Sequence, residues 1–541
     1  MKPPCDEAVI RSSVAVLPRR REHGVWVLVA TIIASSMAYI DSTVVNVALP
    51  ALQSSFGASL VDVQWVVEGY GLTLAALILV GGSMGDRFGR RRMFLLGVAV
   101  FTAASMACGL ASNINQLIAA RTIQGIGAAF LVPGSLALIS SAFDEKERGR
   151  AIGTWSGSTS ITTAIGPVLG GWLIQHWSWR WAFFINVPLA AAAMVTSSCC
   201  VAESRSRETG RVDWRGALAA VVSLTGLTFA CIESTRLGWR APLVLASLVI
   251  GIAAAIAFER IEATAVSPMV PMSLFRSRAF SAANLLTVFL YSATGIFFFL
   301  LPLDLIQVQG YSASKTGAAI LPLILVIFLL SRWSGGLISR YGARLPLITG
   351  PVIAAVGFVL FSAPSAGGAY WSTFFPAVIT LGLGMAISVA PLTTVVMEAV
   401  DEDRAGTASG INNAVARVAG LLAIAILGIV MVHAFRSELS RQLATVEIPA
   451  SVSSELQSHA SRLAALSAPA GSDAATASAI RSAVVNSFVF GFRLIMWICA
   501  ALALAGAGVA LRMIPAPSAP PAAEKSDVGE TGRERVQPSA L

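Results

Sequence analysis

Residues 81–91 read GGSMGDRFGRR. On one side lies an apolar run near 62–83, and on the other a second run near 93–112. Each is about the 20 residues that a helix needs to cross the hydrocarbon core of a bilayer. The stretch is therefore a short charged turn between two membrane-crossing helices. A generic basic turn accounts for Arg87, Arg90, Arg91 and Arg92, but not for the spacing of Gly82, Gly85, Asp86 and Gly89 around Met84. Glycines let two helix ends approach and turn tightly. Asp86 can face a helix N-terminus or pair with arginine. A turn of this kind can latch two bundles together in one state and release them in another.

The same alternation extends along the chain. Of 541 residues, 55% are hydrophobic and 12% charged, against roughly 25% charged in a soluble globular chain. Further spans are expected near 27–47, 117–139, 152–173, 182–200, 217–235, 242–259, 281–302, 316–338, 345–363, 370–392, 409–433 and 488–511, making 14 in all. With the N-terminus in the cytoplasm, 26 of the 38 basic residues fall in cytoplasmic segments, eight outside and four within spans. That asymmetry obeys the positive-inside rule and puts both termini in the cytoplasm. It also accounts for the net charge of +9 without a nucleic-acid partner. The first run is too long for a cleaved signal peptide and is followed by many more.

A weak internal repeat divides the chain. GGLISRYGARL at 335–345 repeats the Gly-Gly and Arg-aromatic-Gly of 81–91, with three intervening residues instead of four. The expected fold is all-α: two six-helix bundles, 27–200 and 277–511, with two extra transmembrane helices in the 201–276 linker. Residues 1–26 form a cytoplasmic arm. Residues 434–487 form a long external loop with some helical periodicity. The Pro-rich stretch 512–541 is expected to be a disordered tail.

Charges inside spans carry the functional information, since none sits cheaply against lipid. Arg121, Gln124, Gly125 and Ala128 share one face of the fourth span. That face should point to protein or a water-filled cavity, unless Arg121 snorkels to the surface. Asp41, Glu68 and Arg121 all lie roughly 6–9 Å below the external edge of the core, at 1.5 Å of rise per residue. They are expected to form one coupling centre. If Arg121 pairs with one acid, the other can take and release a proton. Depth alone leaves Asp41 and Glu68 both open, and leaves open that Asp41 only braces the first helix. Arg417 is near mid-span and a cavity candidate, whereas Arg332 is close enough to the cytoplasmic end to snorkel. The fifth span, GTWSGSTSITTAIGPVLGGWL, spaces Gly153 with Gly157 and Gly166 with Gly170, beside Pro167 and Gly171. Such small residues permit close helix contact, and proline bends the helix.

Several chemistries are excluded or disfavoured. There is no GxxxxGK[ST] stretch for ATP. The histidines at 23, 176, 433 and 459 form no cluster for a metal. The six cysteines, Cys108, Cys199 and Cys200 among them, show no metal-binding spacing and read as packing residues. No nucleophile–base pair suggests an enzyme.

These stretches resemble the major facilitator superfamily, and within it the fourteen-span drug:proton antiporter family. The likeness rests on YIDSTVVNVALP at 39–50, GSMGDRFGRR at 82–91, RTIQGIGAA at 121–129, GPVLGG at 166–171, WRWAFFINVP at 179–188, VQGYS at 308–312 and AGTASGINN at 405–413. It covers roughly residues 26–434. Two departures stand out. Thr162 replaces a glycine of the fifth-helix antiporter motif, and Ser339 occupies the acidic position of the second turn. The resemblance implies proton-coupled export of small hydrophobic or amphipathic compounds across a bacterial cytoplasmic membrane. Its energy source would be the proton gradient, with no bound cofactor. The implied partners are the solute, protons and the bilayer, with the chain acting as a monomer and an envelope adaptor left open. Export of one metabolite, antibiotic or siderophore is the alternative. Nutrient uptake and a non-transporting receptor fit less well, because a receptor has no need of ionisable groups in its core.

Overall fold

The computed structural model describes residues 21–205, 213–265, 268–400, 405–446, 448–469 and 472–515. The expected arm up to residue 20 and the tail from 516 lie outside the described residues, as do the side chains of Arg332 and Ser339. Fourteen long helices follow one another: α1 (Arg21–Phe56), α2 (Leu60–Phe88), α3 (Arg90–Leu110), α4 (Ile114–Ala142), α5 (Glu145–His176), α6 (Asn186–Cys200), α7 (Trp214–Leu237), α8 (Pro242–Thr264), α9 (Arg278–Leu303), α10 (Ala313–Gly335), α11 (Arg344–Phe361), α12 (Tyr370–Glu398), α13 (Ala405–Leu443) and α14 (Ala474–Met513). Among the described residues thirteen segments are long and apolar enough to cross a membrane, α6 being counted from Trp181, and α5 is the exception. Its Gly, Ser and Thr content and its charged first turn lower its hydropathy. It nonetheless runs alongside α1: Trp155 reaches Ser35, Gly166 abuts Ile40 and Thr43, and Gly170 abuts Val44.

Helices α1–α6 form one bundle and α9–α14 the other. The two echoed turns end alike: Gly89 has φ 115° and Gly342 φ 72°, backbone that favours glycine. The extra pair does not stand apart as a spacer. Helix α7 packs against both α2 and α13, while α8 packs mainly on α7 and exposes most of its surface. Trp65 of α2 lies tilted against Phe229 and donates to Glu233, both on α7.

The loop expected at 434–487 is shorter than the sequence suggests. Helix α13 has 39 residues and α14 has 40, so each is about 60 Å long and overruns a core of about 30 Å. Between them a helix at Ala450–Ser458 and a 3₁₀ turn at Ala460–Ala465 fold back over the bundle ends. Leu463 anchors that turn, buried, at φ 52°.

The bundles meet at one end. Hydrogen bonds between them join Gln307 to Gln53, Gln64 to the Ile424 carbonyl and Ser314 to Gln175. All three lie far from the arginine turn. There α5 and α10 approach so closely that a Cβ on Gly171 would overlap the Ala313 carbonyl, and one on Gly317 the Pro167 carbonyl. Towards the arginine turn, which marks the basic end, Gly153 and Gly157 have nothing within 4 Å of where a Cβ would sit.

Candidate functional site

Asp41 of α1 is fully buried, and two other helices, α4 and α6, converge on its carboxylate. Arg121 of α4 donates through Nη1 to Oδ2 at 2.5 Å. Gln124, one turn further along α4, donates to Oδ1 at 2.8 Å and accepts from Arg121 at 2.7 Å. Asn186, at the start of α6, donates to Oδ1 at 3.3 Å and to Ser105 at 3.0 Å. Arg121 also donates through Nε to the Val66 carbonyl at 3.1 Å. Its guanidinium lies 4.2 Å from the Tyr70 ring centre. The Arg121, Gln124 and Gly125 face therefore points inward, as its spacing requires. Gly125 admits α2, since a Cβ there would overlap Thr73 and the Tyr70 carbonyl. Asn186 lies within WRWAFFINVP, yet nothing in sequence singled it out.

This cluster stands in the wall of a cavity of about 490 Å³ between the bundles. Tyr39, Tyr70 and Arg121 line it from one side; Tyr291, Asn413 and Arg417 line it from the other. Arg417 is thus placed in the cavity, as its depth suggested. Within the second bundle, Asn412 donates to Asn284 and Thr287.

Glu68 is not part of the cluster, which corrects the expected three-residue centre. Equal depth does not imply a shared face. Val66 and Tyr70 turn towards Arg121, and Glu68 is about 200° round the helix from each. It lies on the side of α2 that carries Trp65, towards Cys231 of α7. Both its oxygens are buried without a hydrogen-bond partner among the described residues. Burial on those terms is least costly as the neutral acid.

At the basic end, Asp86 pairs with Arg90 within the turn, through Nε and Nη2, both at 2.8 Å. Arg91 donates to the Val201 carbonyl, and Arg87 lies 5.6 Å from the Phe88 ring centre. The expected latch to the other bundle is not engaged among the described residues. Instead the turn is held by Glu203, 112 positions from Arg91, whose carboxylate accepts the backbone N–H groups of Arg91 and Arg92. Gly89 leaves room for that carboxylate. Sequence reading missed Glu203 because a lone acid after an apolar run gives no local signal. Glu203→Ala would leave the start of α3 uncapped, costing about 1–2 kcal/mol. We expect a lower Tm by thermal melting in detergent, with monodisperse elution retained.

The glycines of α5 divide in two. Gly166 and Gly170 seat against α1, and Pro167 and Gly171 against α10. Gly153 and Gly157, expected in close contact, instead face open space.

Comparison with known proteins agrees with this architecture. The Major Facilitator Superfamily profile matches residues 31–424. The chain is 38% identical over 415 residues to the multidrug resistance protein Stp of Mycobacterium tuberculosis, covering 75% of each. It is 33% identical over 492 residues to the tetracenomycin C resistance and export protein of Streptomyces glaucescens, covering 90% of each. Among solved structures, a bacterial homologue of the human lysosomal transporter Spinster aligns with a TM-score of 0.64 at 17% identity, over 92% of this chain and 100% of that one.

Proposed function

Since the chain belongs to the major facilitator superfamily, we propose that it exports small amphipathic compounds by proton-driven alternating access. The observation that carries this reading is the buried Asp41–Arg121 pair beside a cavity between bundles that are packed together at the end far from the arginine turn. The relatives named for multidrug resistance and for resistance and export support the direction of transport. On this reading the basic end and both termini face the cytoplasm, and the conformation is inward-facing.

A solute enters the cavity from the basic end. While Asp41 is ionised, it holds Arg121, Gln124 and Asn186 in one arrangement. A proton on Asp41 removes the charge that holds Arg121. The buried guanidinium then favours whichever packing gives it another partner, which biases a two-state element. Glu68 is a second carboxyl for the cycle, because it lies on α2 near the seam with α13, where Gln64 and Gly71 meet Ile424 and Leu421. Closing the basic end would bring the turn at Gly82–Arg91 to the second bundle. Gly153 and Gly157 supply the smooth surface needed there.

Purified protein in liposomes tests the reading. An imposed pH gradient should drive accumulation of an amphipathic dye, and a protonophore should abolish it. Dye movement that ignores the protonophore would sink proton coupling. Movement of several unrelated dyes would favour broad export over a single exported metabolite.

A further inference from the structure

We propose that the central cavity selects small aromatic anions, with Arg417 as the guanidinium that receives the carboxylate, phenolate or sulfonate of the solute. The proposal rests on the export reading above and names its substrate class. The residues that line the cavity include two arginines and no Asp or Glu. Arg121 is already compensated by Asp41, which is fully buried behind it. Arg417 has no ion pair and no hydrogen bond among the described residues, and it faces the cavity from α13. The cavity wall therefore carries one uncompensated positive charge.

An unpaired arginine within a spanning helix is costly. The other intramembrane arginines with described side chains are provided for: Arg121 by Asp41, and Arg493 by the Ala363 and Pro364 carbonyls. The cost at Arg417 is one that a bound anion would offset, and a planar guanidinium can grip a carboxylate or sulfonate through two donors. Tyr39, Tyr291 and Phe298 supply aromatic side chains to the lining for an aromatic body, with Asn46 and Asn413 as polar contacts. A volume of about 490 Å³ suits a drug-sized molecule. A lipophilic cation would meet a like charge with no acid to receive it, which selects against it.

Fluorescein and the methyl ester of rhodamine share a xanthene ring system and differ in the sign of their charge. Binding of each to the full chain in nanodiscs is read by fluorescence anisotropy, against protein-free nanodiscs. We expect the parent to bind fluorescein at least about tenfold tighter than the cation. Arg417→Gln should lose at least about tenfold for fluorescein alone, Arg417→Lys should recover part of it, and Arg417→Glu should reverse the preference. A parent that prefers the cation, binds neither dye, or loses nothing on Arg417→Gln overturns the proposal, provided the variants elute and melt like the parent. These binding results stand apart from transport. If neither dye moves under a gradient in liposomes while the binding preference holds, the export reading fails and the anion site does not. If the cation is bound and exported, the anion site fails and the export reading does not.

Discussion

Asp41→Asn should abolish gradient-driven export while leaving gradient-free exchange of substrate. The carboxylate accepts from Arg121, Gln124 and Asn186 at once. An amide has only one oxygen, so at least one of these donors would face an NH₂ group. It also leaves Arg121, 1% exposed, with no countercharge. Removing one partner of a buried pair costs about 3–5 kcal/mol, enough to shift a two-state equilibrium by a factor of roughly a hundred or more. Part of that cost will appear as a lower Tm, so the exchange assay is the control for folding. Glu68→Gln is the contrast. Its carboxyl has no hydrogen-bond partner to lose among the described residues, so the variant should melt within a few degrees of the parent while its gradient-driven export falls. Full export by both variants would move the coupling centre elsewhere, with Arg417 the next residue to examine.

Gly317→Leu should unseal the end of the cavity that is closed in this conformation. Gly171 meets the backbone at Ala313, and Gly317 meets it at Pro167, so each glycine admits the opposing helix one turn from the other contact. A leucine there cannot be accommodated by side-chain motion, because the obstacle is a backbone carbonyl. Overpacking of this kind costs about 1–3 kcal/mol or more, and the closed contact must separate. A single cysteine at Val47, which lines the far end beside Gln53 and Gln307, would report it in a chain whose six native cysteines are replaced by serine. In intact cells, an impermeant thiol reagent should label it at least about tenfold faster once leucine is present. Unchanged labelling would mean that the α5–α10 contact is not the seal.

The parts of this architecture that depend on one dimension were readable from sequence. Apolar length gave the spans, and 1.5 Å of rise per residue placed Asp41 and Arg121 at one level, where they meet. The third member of the expected centre failed because level says nothing about azimuth. Glu68 is set apart from Val66 and Tyr70 by rotation about α2, and a helical wheel of that one span holds the information. The run at 152–173 reads as a span with the rest, although α5 is the one long helix whose hydropathy falls short of a membrane-crossing segment among the described residues. Glycine spacing on α5 identified a surface made for close approach, but not which half is in contact in a given state: Gly166 and Gly170 are engaged, Gly153 and Gly157 are not. Glu203 and Asn186 were beyond reach because their partners lie on other helices, and only the packed bundle brings them together.

The placement of α7 on both α2 and α13 acts as a spine does in a book. Two bundles that rock about a shared cavity have two flanks where they can part sideways. On the α2–α13 flank, α7 bridges both covers along the seam, and α8 lies outside it. On the proposed rocking motion, that bridge would restrain the α2–α13 flank, and on the other flank the bundles would part at the basic end of α5, where Gly153 and Gly157 have nothing against them. A solute dissolved in the leaflet meets the spine on one flank and the page edges on the other, so its sideways path into the cavity runs past α5 and α10. If the bundles rock as proposed, the extra pair would thus leave an otherwise two-sided machine with one lateral door.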